Sequence, residues 1–147
     1  FDMFAIHQHW ERARHLRFAP TAIYGMNFEK WYNYTYPDLS VTYDERDKTS
    51  SQYITYPCLI VEVLSASTEA YDTGGKFRLY RQNPMLIDYL LVSSTGVEID
   101  LYHKNNAGYW LIVNYKAGDT IELKSIDLCF PIEQVYRRLN LSLDREN

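Results

Sequence analysis

The sequence predicts one α/β or α+β domain built on a mixed β-sheet. Three observations predict it. The chain has 147 residues, the size of one ordinary domain, and 46% of them are apolar, enough for a real core. Its patterning runs in the order helix, strands, helix, strands, helix. The run "CLIVEVLS" at 58–65 is short, apolar and rich in β-branched residues, as in a strand covered on both faces. The whole of 1–147 reads as a single domain. It lacks an initiator Met, as expected of a chain that starts inside a longer one.

Each element has its own signal. "FAIHQHWERARHLRF" holds neither Gly nor Pro and places Phe4, His7 and Leu16 toward one side of a helix, which Pro20 ends. "TAIYGMNF" reads as a short strand or strand pair. In "YTYPDLSVTYD" the residues alternate: Leu39, Val41 and Tyr43 point one way, and Asp38, Ser40 and Thr42 the other. "DERDKTSSQ" reads as a charged loop, with "ERDK" at 45–48 in solvent. "KFRLYRQN" reads as helix up to the break at Asn83-Pro84.

Beyond Pro84 come four strand-like runs, "LIDYLLVSS", "GVEIDLYHK", "GYWLIVNYK" and "DTIELKS". "NNAG" and "AGD" supply turns between them. "PIEQVYRRLNL" closes the chain as a helix, with Pro131 suited to its first position and "RR" at 137–138 on its outer side.

Several classes are excluded or disfavoured. No apolar run approaches the roughly 18 to 20 residues that a membrane span needs. The charged, histidine-bearing opening is unlike a secretory signal, so a reducing cytoplasm is expected. Cys58 and Cys129 fit no metal-ligand spacing and both read as small buried hydrophobes, not a disulfide. His7, His9 and His15 lack the spacing and the companions of a zinc site. A net charge of −4 argues against coating DNA non-specifically, yet leaves room for a local basic cleft or a cation site. The 14 tyrosines read chiefly as strand and surface packing.

Glu62 poses the functional question, because it sits between Val61 and Val63 inside the apolar run. Strand alternation puts it on the face of Ile60 and Leu64. An unpaired carboxylate buried there costs several kcal/mol on an order-of-magnitude scale. Two kinds of partner answer that cost. One is a lysine or arginine in a structural ion pair. The other is a divalent cation shared with a second carboxylate, for which Asp38 is placed if its strand adjoins. Asp72, Lys76 and Tyr80 follow at i, i+4 and i+8, along one face of a helix. That face carries an amine able to orient a metal-bound water or offset charge on a phosphate.

These residues carry a resemblance. "YPDLSV…PCLIVEVLSASTEAYDTGGKFRLYRQNPMLIDYLLVS" resembles the Uma-type family of bacterial proteins, once catalogued as a domain of unknown function. That family belongs to the PD-(D/E)XK nuclease superfamily. The likeness covers roughly residues 36 to 138. It implies a restriction-endonuclease-like fold: a mixed β-sheet flanked by helices, with β-hairpins in the C-terminal half. It implies Asp38 and Glu62 as acidic ligands of Mg²⁺ or Mn²⁺, with the Val63 backbone carbonyl as a further ligand. The superfamily's lysine normally stands two residues after the acid, where this chain has Leu64. Lys76 from the following helix fits the role instead. Tyr80 and Asp72 are supporting residues, the latter at the helix start. The family often has another acid in an early helix, and Glu11 and Glu29 both match it poorly. Arg78 and Arg81 are candidates for backbone contact.

The implied function is metal-assisted hydrolysis of phosphodiesters in DNA, with a homodimer as the form that would cut two strands. Two alternatives stay open: a non-catalytic nucleic-acid-binding or regulatory module on the same fold, and a structural, self-associating domain in which Glu62 and Lys76 merely pair.

Overall fold

A computed structural model describes residues 17–19, 22–23, 37–47, 53–65 and 74–136. The expected N-terminal helix, most of "TAIYGMNF", Asp72 and the end of the last expected helix lie outside them. The strands are β1 (Arg17–Ala19), β2 (Ala22–Ile23), β3 (Leu39–Thr42), β4 (Tyr53–Ile54), β5 (Leu59–Leu64), β6 (Asp88–Ser93), β7 (Glu98–Lys104), β8 (Trp110–Lys116), β9 (Thr120–Leu123) and β10 (Leu128–Pro131). Among the described residues, a short helix, α1 (Lys76–Tyr80), lies between β5 and β6. Six strands form the main sheet in the order β1-β3-β5-β6-β7-β8. Among the described residues only β5 and β6 pair in parallel within it. A parallel pair needs a crossover, and the segment carrying α1 supplies it. The sheet is mixed, as the sequence predicts, and the C-terminal half is hairpins.

The alternation read in β5 is what the core shows. Leu59 and Val61 pack with Leu39, Val41, Leu90, Val92, Ile99 and Leu101, under a lid made by the β9–β10 hairpin through Ile121, Leu123 and Phe130. Ile60 packs on the other face with Tyr80, Leu86, Tyr89, Leu91 and Tyr102. The central strands are therefore apolar on both faces, which is why their sequence runs are nearly continuous.

Four expectations need correction. The "ERDK" segment is no simple solvated loop: Glu45–Asp47 form a 3₁₀ turn, and Asp47 is buried. Its carboxylate accepts from Thr42 Oγ1 at 2.7 Å, Thr55 N at 2.8 Å and Tyr56 N at 2.9 Å. Three donors replace the lost water and tie β3 to the chain after β4. Cys129 is exposed while Cys58 is buried, and both are free. Cys129 belongs to β10, a strand that the sequence reading missed, where it lies opposite Glu122 on the outward face while Phe130 turns in.

The helix after β5 is shorter than expected. It stops at Tyr80, and the buried Asn83 takes over the following turn, donating to Thr55 O at 2.7 Å and accepting from Met85 N at 3.0 Å. At the chain's end, Pro131 is still extended (ψ 141°), so it caps a 3₁₀ turn, Ile132–Gln134, and does not begin an α-helix.

Replacing Asp47 by Ala should lower unfolding free energy by about 2 to 4 kcal/mol, because buried donors lose their acceptor; urea titration measures this. Burial pushes the Cys58 thiol up to about 12. At pH 8 a thiol reagent should therefore label only Cys129 in the folded chain and both cysteines after denaturation, as mass spectrometry would show.

Candidate metal and catalytic site

The site is built on β5, flanked by antiparallel β3 and parallel β6. Glu62 is 3% exposed. Its Oε2 accepts from Lys76 Nζ at 3.2 Å, and its Oε1 accepts from the Tyr80 hydroxyl at 3.1 Å. Lys76 and Tyr80 are one helical turn apart, so α1 presents both from one face. The sequence spacing led to the same placement. Tyr80 is wholly buried, and its ring meets Tyr89 edge-on at 5.4 Å. The ring is anchored in the core and the hydroxyl aims at the carboxylate. The Lys76 side chain keeps 22% of its surface exposed, so the ammonium bridges the buried acid and the open side.

Asp38 arrives by strand register. Leu39 pairs with Val61 and Ser40 with Ile60. One step further, Asp38 stands opposite Glu62. Asp38 is exposed, and its Oδ2 accepts the Val63 N–H at 2.6 Å. That bond fastens the carboxylate to the backbone beside Glu62. Asp38, Glu62, Val63, Lys76 and Tyr80 thus meet at one end of β5. Asp72, Glu11 and Glu29 lie outside the described residues. Arg78 is exposed on α1 and Arg81 just beyond its end, where the Arg81 guanidinium sits 5.8 Å from the Phe77 ring centre.

Register also brings in a residue that the sequence reading missed. Leu91 pairs with Glu62 on one side and with Asp100 on the other, so all three side chains share a face. Asp100 is two strands from Glu62, roughly 10 Å. Asn114 donates to Asp100 Oδ1 at 2.6 Å and to Glu98 Oε2 at 3.0 Å. A cavity of about 460 Å³ lies here, lined by Leu64, Ser65, Leu91, Ser93, Glu98 and Asp100 among others. Its wall is clamped by the Tyr136 hydroxyl, 2.7 Å from Ser93 O and 3.0 Å from Glu98 O. Burial pushes that phenol up to about 12, so it remains a donor throughout the neutral range.

The donor set suits a small hard cation. Magnesium is commonly held by one or two carboxylates, with waters and substrate phosphate completing the shell. Asp38 keeps Oδ1 clear of hydrogen bonds among the described residues. Among the described residues no group of three or more His, Cys, Asp or Glu side chains is arranged to hold a metal ion without further ligands.

A family model described as "Uma2: Putative restriction endonuclease" matches residues 2–133. The chain belongs to this family. It is 71% identical over 107 residues to "Uncharacterized protein slr1290" of Synechocystis sp. (strain ATCC 27184 / PCC 6803 / Kazusa), covering 73% of this chain and 56% of that protein. It is 35% identical over 94 residues to "Uncharacterized protein sll1609" of the same organism, covering 63% of this chain and 52% of that protein. The chain therefore spans about half the length of the curated relatives it matches. In three dimensions it is similar to a crystal structure described as "a putative nuclease belonging to DUF820" from Anabaena variabilis ATCC 29413. The TM-score is 0.68 at 13% identity, covering 91% of this chain and 75% of the other. That likeness establishes the restriction-endonuclease-like fold of this Uma2 member. Among its described residues no helix is long and apolar enough to cross a membrane.

The Glu62–Lys76–Tyr80 coupling can be measured directly. Tyr80→Phe keeps the ring and removes one donor, with an expected loss of about 1 to 2 kcal/mol. Lys76→Met leaves a buried acid without its cation, with a loss of about 1 to 3 kcal/mol, reduced from the fully buried case because Lys76 is partly solvated. Adding Glu62→Gln to Lys76→Met should recover most of that loss in a double-mutant cycle.

Proposed function

We propose that the chain is a metal-dependent nuclease that hydrolyses phosphodiester bonds in DNA, in the cytoplasm, with Mg²⁺ or Mn²⁺ as cofactor. The observation that carries this reading is the buried Glu62 set opposite Asp38 by strand register, with an amine from α1 on the same carboxylate. Family membership and the nuclease-type fold support the reaction class. Asp38, Glu62 and the Val63 carbonyl are the groups that would hold the cation. A cation bound there would supply Lewis-acid polarisation of the phosphate and a water of lowered pKa.

The chain's own residues do the rest. Tyr80 holds the Glu62 carboxylate in one orientation. Lys76, partly exposed, offers its ammonium toward the open side, where it can align a water or offset charge on the phosphate. Asp38 is held beside β5 by its bond to Val63 N. Arg78, exposed on α1, and Arg81, exposed just beyond it, would meet backbone phosphates. Cutting two strands would call for a second copy of the chain.

A divalent cation held by Glu62 would draw on the same carboxylate as Lys76, which would then have to release or share it. Removing the amine should tighten metal binding even as it removes activity, which separates this reading from a purely structural ion pair.

The experiment is plasmid nicking alongside metal titration. Wild type should nick DNA only with Mg²⁺ or Mn²⁺. Glu62→Gln and Lys76→Ala should each lower the rate by about 100-fold or more, in line with loss of a metal ligand or a charge-stabilising group. Mn²⁺ should raise the melting temperature of wild type and of Lys76→Ala but not of Asp38→Ala. Metal binding with no cleavage of any nucleic acid would leave a binding module on this fold; no metal response at all would contradict the proposal.

A further inference from the structure

A separate pair of cavities lies at the other end of the sheet. Glu62 pairs with Leu91, whereas Asp88 pairs with Leu59 at the start of β5. The two ladder positions are roughly 10 Å apart along the strands, and alternation turns Asp88 to the opposite face. Cavities of about 480 and 430 Å³ adjoin here and share Met85 and Ile87 as lining residues.

The first cavity is aromatic. Tyr43, 49% exposed, and Tyr56 line it, and the Arg46 guanidinium lies 3.5 Å over the Tyr56 ring. Two acids, Asp44 and Glu45, also line it. Arg46 holds Asp44 through two side-chain hydrogen bonds of 2.9 Å, which keep that carboxyl down to about 2. The charge of Asp44 is thus locally compensated.

The second cavity is cationic, lined by His103, Lys104 and Lys124. His103 Nδ1 is 2.7 Å from Oδ1 of the fully buried Asp88, whose Oδ2 accepts Ser125 N at 2.8 Å. The carboxylate fixes the imidazole ring, as a carboxylate does for a working histidine. Nε2 has no partner among the described residues. The Ser125 hydroxyl, also buried, has no hydrogen-bond partner among them. Lys104 donates to Pro84 O at 2.9 Å, and Lys124 stands 3.8 Å from Glu122 with 65% of its side chain exposed. The Tyr43 hydroxyl donates to Ser125 O at 3.0 Å, which ties the wall of the aromatic cavity to the residue beside Lys124.

We propose that this double cavity binds a nucleoside monophosphate unit. The base lies with Tyr43 and the Arg46–Tyr56 stack, since any base offers a flat face to aromatic and guanidinium groups. The phosphate meets the Nε2 edge of His103 and the ammonium groups of Lys104 and Lys124. Aromatic surface beside a cationic lining matches the two halves of a nucleotide, and the volumes are those of small-molecule sites. The site shares no residue with the proposed nuclease centre and does not rest on it.

Calorimetric titration of the chain with adenosine 5′-monophosphate, adenosine and inorganic phosphate tests this, together with a short single-stranded oligonucleotide. The nucleotide should bind saturably and about tenfold or more tighter than either half. Lys124→Glu, at an exposed position, should weaken it by about tenfold. His103→Gln should weaken it too, and Glu62→Gln should leave it unchanged. Binding of the oligonucleotide alone, with the same sensitivity to Lys124→Glu and His103→Gln, would support the site with a strand as the source of the unit. No binding of either ligand, or binding indifferent to Lys124→Glu and His103→Gln, would overturn the proposal.

Discussion

The buried carboxylate of Glu62 is the constraint around which this end of the molecule is organised. A charge at 3% exposure between two apolar layers must be met by donors. Lys76 and Tyr80, which donate to it, come from one face of α1, an element five residues long. The short helix is held in place by what its residues bury. Tyr80 and Phe77 pack against Tyr89, and Phe77 also meets Tyr102 and Trp110 edge-on at 4.6 and 5.1 Å. The parallel β5–β6 pair imposes a crossover, the crossover carries α1, and α1 delivers the amine and the phenol to Glu62. Asp38 completes the group from the other side because β3 runs antiparallel to β5.

A buried ion pair is weak evidence for stability, since apolar residues of similar volume often serve a core at least as well. Glu62 lies among Ile60, Leu64 and Leu91, where a leucine would pack without a charge partner. What the arrangement offers over an apolar one is chemistry: a fixed carboxylate, an amine reaching toward solvent, and a second carboxylate pinned to the neighbouring backbone. These features suit a centre completed by a cation and a phosphate. The polar cavity leading to Asp100 extends the same sheet face.

Much of this was legible in the sequence, for physical reasons. Period-2 alternation placed Glu62 with Ile60 and Leu64, and helical period placed Lys76 with Tyr80. Both are local regularities that need no tertiary information. The continuous apolar run of β5 showed two-sided burial. Other features depended on distant partners. Asp47 looks like solvated charge because its three donors come from Thr42, Thr55 and Tyr56. Cys129 looks buried beside Phe130 until β10 is known to be a hairpin strand with one face outward. Asp100 joins the Glu62 face only through the β6 register, which no spacing in the chain encodes. Asp88 and His103 face each other only because β6 and β7 pair.

The central claim is that Asp38 and Glu62 together take up a divalent cation. The most direct test is paramagnetic broadening of backbone amide resonances by substoichiometric Mn²⁺. The account predicts broadening centred on residues 38, 62, 63 and 76, displaced by excess Mg²⁺. Broadening centred elsewhere, or none at these positions, would contradict it.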